Sequence, residues 1–177
     1  AGGTTIVQLR EKKMATDALV AFAREVHAAC PDVPFVIDDD VDAAARSGVD
    51  GVHVGQEDAA CASARARLGD DAIVGVSVQT VAQALRAERD GADYLGVGAI
   101  FKTATKAEAA DVSLETLRAI CDAVDIPVVA IGGLNERTVD VLAGTGVRGA
   151  AVVSALFSAD DVRGAAQRLS ERLHHVL

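Results

Sequence analysis

Short apolar runs, many of them β-branched, recur along this chain and alternate with longer segments whose apolar positions fall on one helical face. The runs predict strands over 4–10, 34–39, 51–54, 72–78, 94–100, 127–132 and 149–155. The segments between them predict helices over 16–29, 41–47, 59–68, 80–89, 114–124, 136–143 and 160–176. In the first helix Leu19, Val20, Phe22 and Val26 share a face, and in the last Val162, Ala166, Leu169, Leu173 and Val176 form one stripe. Ser113 and Asn135 are placed to cap the helices that follow them. Strand alternating with helix, without tandem strands, means a parallel α/β sheet.

A weak internal repeat sharpens the architecture. Ser47-Gly48-Val49-Asp50-Gly51-Val52, Asp90-Gly91-Ala92-Asp93-Tyr94-Leu95 and Thr145-Gly146-Val147-Arg148-Gly149-Ala150 each place a helix-ending glycine just before a strand. That recurrence, with no G-x-G-x-x-G, favours a (β/α) barrel over an open Rossmann sheet. The same plan opens the chain at Ala1-Gly2-Gly3-Thr4-Thr5-Ile6, where the glycines would close a preceding helix. Seven strands are one short of a barrel that usually needs at least about 200 residues. The expectation is one domain over 1–177, a (β/α)8 TIM barrel with its first β/α unit missing from the chain.

Charge narrows the function. The net charge of −9 leaves no basic stripe for nucleic acid. No apolar run reaches the roughly 18–20 residues of a membrane span, and no signal peptide is visible. The three cysteines, Cys30, Cys61 and Cys121, show no C-x-x-C spacing and read as reduced core residues, which suits a cytoplasmic protein. His27, His174 and His175 read as helix-surface residues and Tyr94 as core.

All four lysines fall in two clusters, Lys12-Lys13 and Lys102/Lys106, each just after a strand. Ligands bind at the carboxyl ends of parallel strands, and lysine beside hydroxyls suits a phosphate. The plain alternative is a pair of solvated loops. Other polar groups stand at the same ends: Gln8 and Arg10, Asp38-Asp39-Asp40, His53 with Gln56-Glu57-Asp58, Ser77 to Thr80, Thr103 to Lys106, Gly132-Gly133, and Ser154. Asp39 and Asp58 form a natural carboxylate pair for Mg2+, although an Asp before a helix is also an ordinary cap. Gly132-Gly133 and Ser154 could offer main-chain N–H groups to a phosphate, and a glycine pair is also an ordinary turn. His53 could contact a heterocycle or simply fill barrel space.

Together these residues resemble the thiamine-phosphate synthase family from Gly2 to the last helix. The matching segments are Gln8-Leu9-Arg10-Glu11-Lys12, Asp38-Asp39, His53-Val54-Gly55-Gln56-Glu57-Asp58, Gly75-Val76-Ser77, Gly91 to Gly98, Thr103-Ala104-Thr105-Lys106 and Ile131-Gly132-Gly133. The resemblance implies transfer of a hydroxymethylpyrimidine group from its diphosphate to a thiazole phosphate, through a pyrimidine-methyl cation, with release of pyrophosphate. It implies Mg2+ on Asp39 and Asp58, and a diphosphate held by Arg10, Lys12, Ser77 and Lys106, the catalytic set. It places Gln8 and His53 at the pyrimidine, with Asp38 beside the diphosphate, and Thr103, Thr105, Gly133 and Ser154 at the thiazole phosphate. The implied partners are these small molecules, with self-association into a homo-oligomer as a further expectation.

The chain departs from that family at three places: Asp38 stands for a usual asparagine, Lys102 for a common proline and Gln79 for a frequent histidine. A thiazole tautomerase is the nearest rival, but Gln79 cannot relay protons as an imidazole does. A non-catalytic phosphate-binding barrel or an inactive fragment is the rival from another class. The short N-terminus favours that rival, while the retained lysines and carboxylates oppose a long-decayed site but not a recent truncation.

Overall fold

The computed structural model describes residues 2–56, 61–101 and 112–177. The chain divides into two compact units, one formed by Thr5–Ser77 with Arg89–Asp93, the other by Ala1–Thr4, Val78–Glu88 and Tyr94–Leu177. Among the described residues seven strands occur: β1 (Val7–Leu9), β2 (Phe35–Asp38), β3 (Gly51–Val54), β4 (Ile73–Val78), β5 (Tyr94–Val97), β6 (Val128–Ile131) and β7 (Gly149–Ala151). The helices are α1 (Thr16–Ala28), α2 (Val41–Ser47), α3 (Cys61–Leu68), α4 (Val81–Arg89), α5 (Leu114–Ala123), α6 (Ser154–Phe157) and α7 (Val162–Val176). Every strand pairing within a unit is parallel, as the strand–helix alternation predicts.

In the first unit β1 to β4 pair in chain order. Leu9 stands opposite Ile37, Asp38 opposite His53, and Val54 opposite Val76. Phe35, Val36, Ile37, Val52, Val54 and Val74 are fully buried. The continuous apolar runs of β2 and β3 follow from that, because a parallel strand covered on both faces has no polar side. Each such side chain contributes about 1.5–3 kcal/mol. Asp40 caps α2 by accepting from Ala43 N–H at 2.8 Å, and also accepts from Thr16 Oγ1 of α1 at 2.9 Å.

In the second unit β5, β6 and β7 pair around Leu95, Val97, Val128 and Ala130, with Leu117 and Ile120 of α5 buried nearby in the same core. Ser113 caps α5, accepting from Thr116 N–H at 3.1 Å. Gly2 and Gly3 lie against α7, where a Cβ would stand 2.8 Å from Ala166 Cβ and 2.5 Å from Ser170 Oγ respectively. The glycines of the internal repeat are all left-handed, with φ of +73° at Gly48, +93° at Gly91 and +87° at Gly146; the first two end α2 and α4, whereas Gly146 ends no α-helix.

Three expectations need correction. The helix predicted over 136–143 is a 3-10 turn at Val139–Leu142. Its two buried residues, Val139 and Leu142, stand three apart and so share a face of a 3-10 turn, while β-branched Thr138, Val139 and Val141 weaken an α-helix. Asn135 accordingly forms a local turn, accepting from Arg137 N–H at 2.9 Å. The strand predicted over 149–155 stops at Ala151, and Ser154 opens α6; Val153 is 57% exposed, so its β-branching did not mark a buried strand. His27 is not simply a surface residue: it stacks on Phe35 at 5.5 Å and meets Asp50 at 3.3 Å. The cysteines are free, and burial pushes the thiols of Cys61 and Cys121 up. Among the described residues no helix is long and apolar enough to cross a membrane.

Candidate active site

The carboxyl ends of β1 and β2 bring two cations against two carboxylates. Arg10, just past β1, pairs with Asp38, the last residue of β2, and lies 3.6 Å from Asp39. Lys12 Nζ lies 2.6 Å from Asp39 Oδ2. The turn after β2 makes this arrangement. Asp39 has φ +68°, the sole left-handed residue other than glycine among those described, a conformation that Asp tolerates better than most. Asp40 N–H reaches back to Asp38 C=O at 2.9 Å, and Val41 N–H to Asp39 C=O at 3.1 Å. Three successive aspartates thereby do three things: Asp38 meets Arg10, Asp39 meets Lys12, and Asp40 caps α2.

Burial and the neighbouring Asp39 carboxylate raise Asp38 to about 6, against the opposing pull of Arg10. The hydrogen bond to Asp39 holds Lys12 above its ordinary value, so its ammonium stays charged at neutral pH. An open cavity of about 230 Å³ lies here, lined by Lys12, Met14, Asp38, Asp39 and Asp40 among others.

Next along the sheet, the buried His53 of β3 brings Nε2 within 2.9 Å of Ser77 Oγ on β4. Gln56 Nε2 donates to Ser77 C=O at 2.9 Å, and Asp39 N–H donates to His53 C=O at 2.8 Å. Gln8 is exposed on β1. The ends of β1 to β4 therefore carry Gln8, Arg10, Lys12, Asp38, Asp39, His53 and Ser77, all in one unit.

Gly133 and Ser154 belong to the other unit. Gly132 and Gly133 follow β6 with φ of +105° and +65°. They back onto the chain after β5: Ile100 N–H donates to Ile131 C=O at 3.0 Å and Phe101 N–H to Gly132 C=O at 3.1 Å. A Cβ at Gly132 would meet Ala99 Cα at 2.7 Å, and one at Gly133 would meet Phe101 Cβ at 2.6 Å. Thr138 Oγ1 donates to Gly133 C=O at 3.2 Å and fixes the peptide plane that follows. Ser154 is exposed at the start of α6. Asp58, Thr103, Thr105 and Lys106 lie outside the described residues.

The family model for thiamine monophosphate synthase matches residues 1–156. This chain belongs to that family. It is 44% identical over 171 residues to a thiamine-phosphate synthase of Clostridium tetani, covering 96% of this chain and 82% of that protein. It is 47% identical over 173 residues to one from Ruminiclostridium cellulolyticum, covering 97% of this chain and 82% of that protein. Among solved structures, thiamine phosphate pyrophosphorylase from Pyrococcus furiosus is similar at a TM-score of 0.88 and 40% identity, over 99% of this chain and 86% of that one.

Of the two carboxylates expected to hold Mg2+, Asp39 lies among the described residues and Asp58 does not. Asp39 offers the oxygen donors that Mg2+ takes, shared with Lys12 and Arg10. Among the described residues no group of three or more His, Cys, Asp or Glu could hold a metal ion. Sequence reasoning missed Gln56 as a support for Ser77. It also missed a reciprocal cap before α4, where Thr80 Oγ1 accepts from Gln83 N–H at 3.2 Å while Gln83 Oε1 accepts from Thr80 N–H at 3.2 Å. The Thr-x-x-Gln spacing was the signal for that cap.

Proposed function

We propose that this thiamine monophosphate synthase family member joins the hydroxymethylpyrimidine group of its diphosphate to a thiazole phosphate, giving thiamine phosphate and pyrophosphate. The observation that carries the reading is the pairing of Arg10 and Lys12 with Asp38 and Asp39 at the ends of β1 and β2. The seven parallel strands are read as units of a (β/α)8 barrel, whose strand ends carry such sites.

In this reaction the bond from the pyrimidine methylene to the diphosphate oxygen breaks, and its electron pair leaves on the diphosphate. The thiazole nitrogen lone pair then forms the new C–N bond. Arg10, Lys12 and Ser77, with Lys106, hold the diphosphate where negative charge grows, the electrostatic work that dominates many sites. Gln8 and His53 face the pyrimidine. Thr103, Thr105, Gly133 and Ser154 take the thiazole phosphate, Gly133 through its main-chain N–H.

The described cluster balances two cations against two carboxylates when Asp38 and Asp39 are ionised, so it alone adds little net charge to an incoming diphosphate. Mg2+ held by Asp39 and Asp58 would supply the missing positive charge. A tautomerase reading is disfavoured at Gln79, whose carboxamide donates to Gly98 C=O at 3.4 Å and carries no titratable proton. The test is incubation of the purified protein with both substrates and Mg2+, followed by chromatography for thiamine phosphate. Pyrimidine diphosphate consumed without thiamine phosphate formed would overturn the reading, as would no turnover at all.

A further inference from the structure

We propose that His53 is a positioning residue that acts through Ser77, donating from Nε2 to Ser77 Oγ so that the serine hydroxyl proton is left for an anionic oxygen of the diphosphate. This rests on the reaction assigned above and refines it, because it moves the main effect of His53 from the pyrimidine to the leaving group.

The geometry points this way through Ser77 rather than through the ring face of His53. Ser77 is gripped twice, at its carbonyl by Gln56 Nε2 and at its hydroxyl by His53 Nε2, each at 2.9 Å. His53 is itself held, since its carbonyl accepts Asp39 N–H at 2.8 Å and its side chain is buried. Three neighbouring strand ends are thereby linked in order: the Asp39 main chain, the His53 ring, the Ser77 hydroxyl.

A serine hydroxyl has one proton and two acceptor lone pairs. If Nε2 accepted that proton, Ser77 would present only lone pairs to a diphosphate and would repel it. If Nε2–H donates, a lone pair is used and the proton is free to meet negative charge. Charge-assisted hydrogen bonds of that kind strengthen as charge develops, so the effect belongs to the transition state. The hydroxyl must also be aimed before the bond breaks, and a donor held by its own backbone bond does this without reorganisation.

A double-mutant cycle in the pyrophosphate-release assay tests it, using the full chain with His53→Leu, Ser77→Ala and the pair. His53→Leu is expected to lower kcat by about tenfold or more with the thiazole KM unchanged, and to cost less than about twofold further in the Ser77→Ala background. His53→Gln, whose amide nitrogen reaches close to the place of Nε2, is expected to recover most of the lost kcat. If His53→Leu does not fold, His53→Asn, too short to reach Ser77, replaces it in the cycle. Inorganic pyrophosphate binding by calorimetry gives a second readout, with the same weakening expected from Ser77→Ala alone and from the pair. Additive losses, or a loss confined to the pyrimidine KM, would overturn the inference and return His53 to the pyrimidine. A wild-type chain inactive with both substrates would instead overturn the assigned reaction, and this inference with it.

Discussion

Lys12 Nζ lies 2.6 Å from Asp39 Oδ2, so the cation proposed for the diphosphate and the carboxylate proposed for the metal restrain each other. A divalent cation on Asp39 would weaken that hold and turn the ammonium toward substrate. Chelation is therefore expected to abolish pyrophosphate release and added Mg2+ to restore it. Lys12→Ala should lower kcat/KM by about tenfold or more while changing unfolding free energy by less than about 1 kcal/mol, because the lysine is half exposed. Activity that persists through exhaustive chelation would remove Mg2+ from the site.

Asp38 should cost stability as pH rises. Its ordinary value is 3.8, and burial, then Asp39, lift it to about 6 in the folded chain. A group raised on folding contributes stability below its unfolded value and loses that contribution as pH climbs through its folded value. Asp38→Asn removes this loss. The variant should gain about 1–3 kcal/mol relative to wild type between about pH 4 and pH 7, read from urea midpoints across that range. It should also bind the diphosphate at least as tightly in saturating Mg2+. Weaker binding would make Asp38 a ligand that the substrate or metal requires.

Much of this was legible because local chemistry and global packing agree. Phe35-Val36-Ile37 and Val52 to Val54 read as strands without ambiguity, since a strand covered on both faces allows few polar residues. Gly48 and Gly91 betrayed the ends of α2 and α4 because a left-handed residue there favours glycine. What was not legible is what depends on distant partners. Nothing local to Asp38 names Arg10, 28 residues away, or tells which of three successive aspartates would cap α2. Val139 to Leu142 carried helical spacing too short to separate an α-helix from a 3-10 turn, and α6, at four residues, is below what periodicity can detect.

Arg65 should be a stability residue with no part in turnover. Its guanidinium, 17% exposed, donates to Gly91 C=O at 2.8 Å, Gly69 C=O at 3.0 Å and Asp70 C=O at 3.2 Å, and meets Asp93 Oδ2 at 2.6 Å. Asp93 Oδ2 in turn accepts Val74 N–H at 2.6 Å, so one side chain ties the end of α3 to Gly91, Asp93 and the entry of β4. Arg65→Ala would strand several carbonyls and one carboxylate, and a loss of about 2–4 kcal/mol is expected. Arg65→Lys should recover only part of it, since an ammonium cannot span the same fork. Unfolding curves decide the matter, and an unchanged midpoint for Arg65→Ala would mean that water satisfies those groups.

Gly133 is expected to matter twice, once for the backbone and once for the thiazole phosphate. Its φ of +65° disfavours any side chain, and a Cβ there would stand 2.6 Å from Phe101 Cβ, closer than van der Waals contact permits. Gly133→Ala must either shift the chain after β5 or open the turn after β6. A cost of about 1–3 kcal/mol is expected, together with a raised KM for the thiazole phosphate as the main-chain N–H leaves its place. Gly149 is the internal control, because it has no positive φ and a Cβ there meets nothing within 4 Å. Gly149→Ala should leave both the unfolding midpoint and that KM unchanged. A Gly133→Ala variant destabilised as expected but with an unaltered thiazole KM would leave the turn its structural part and take the phosphate away from it.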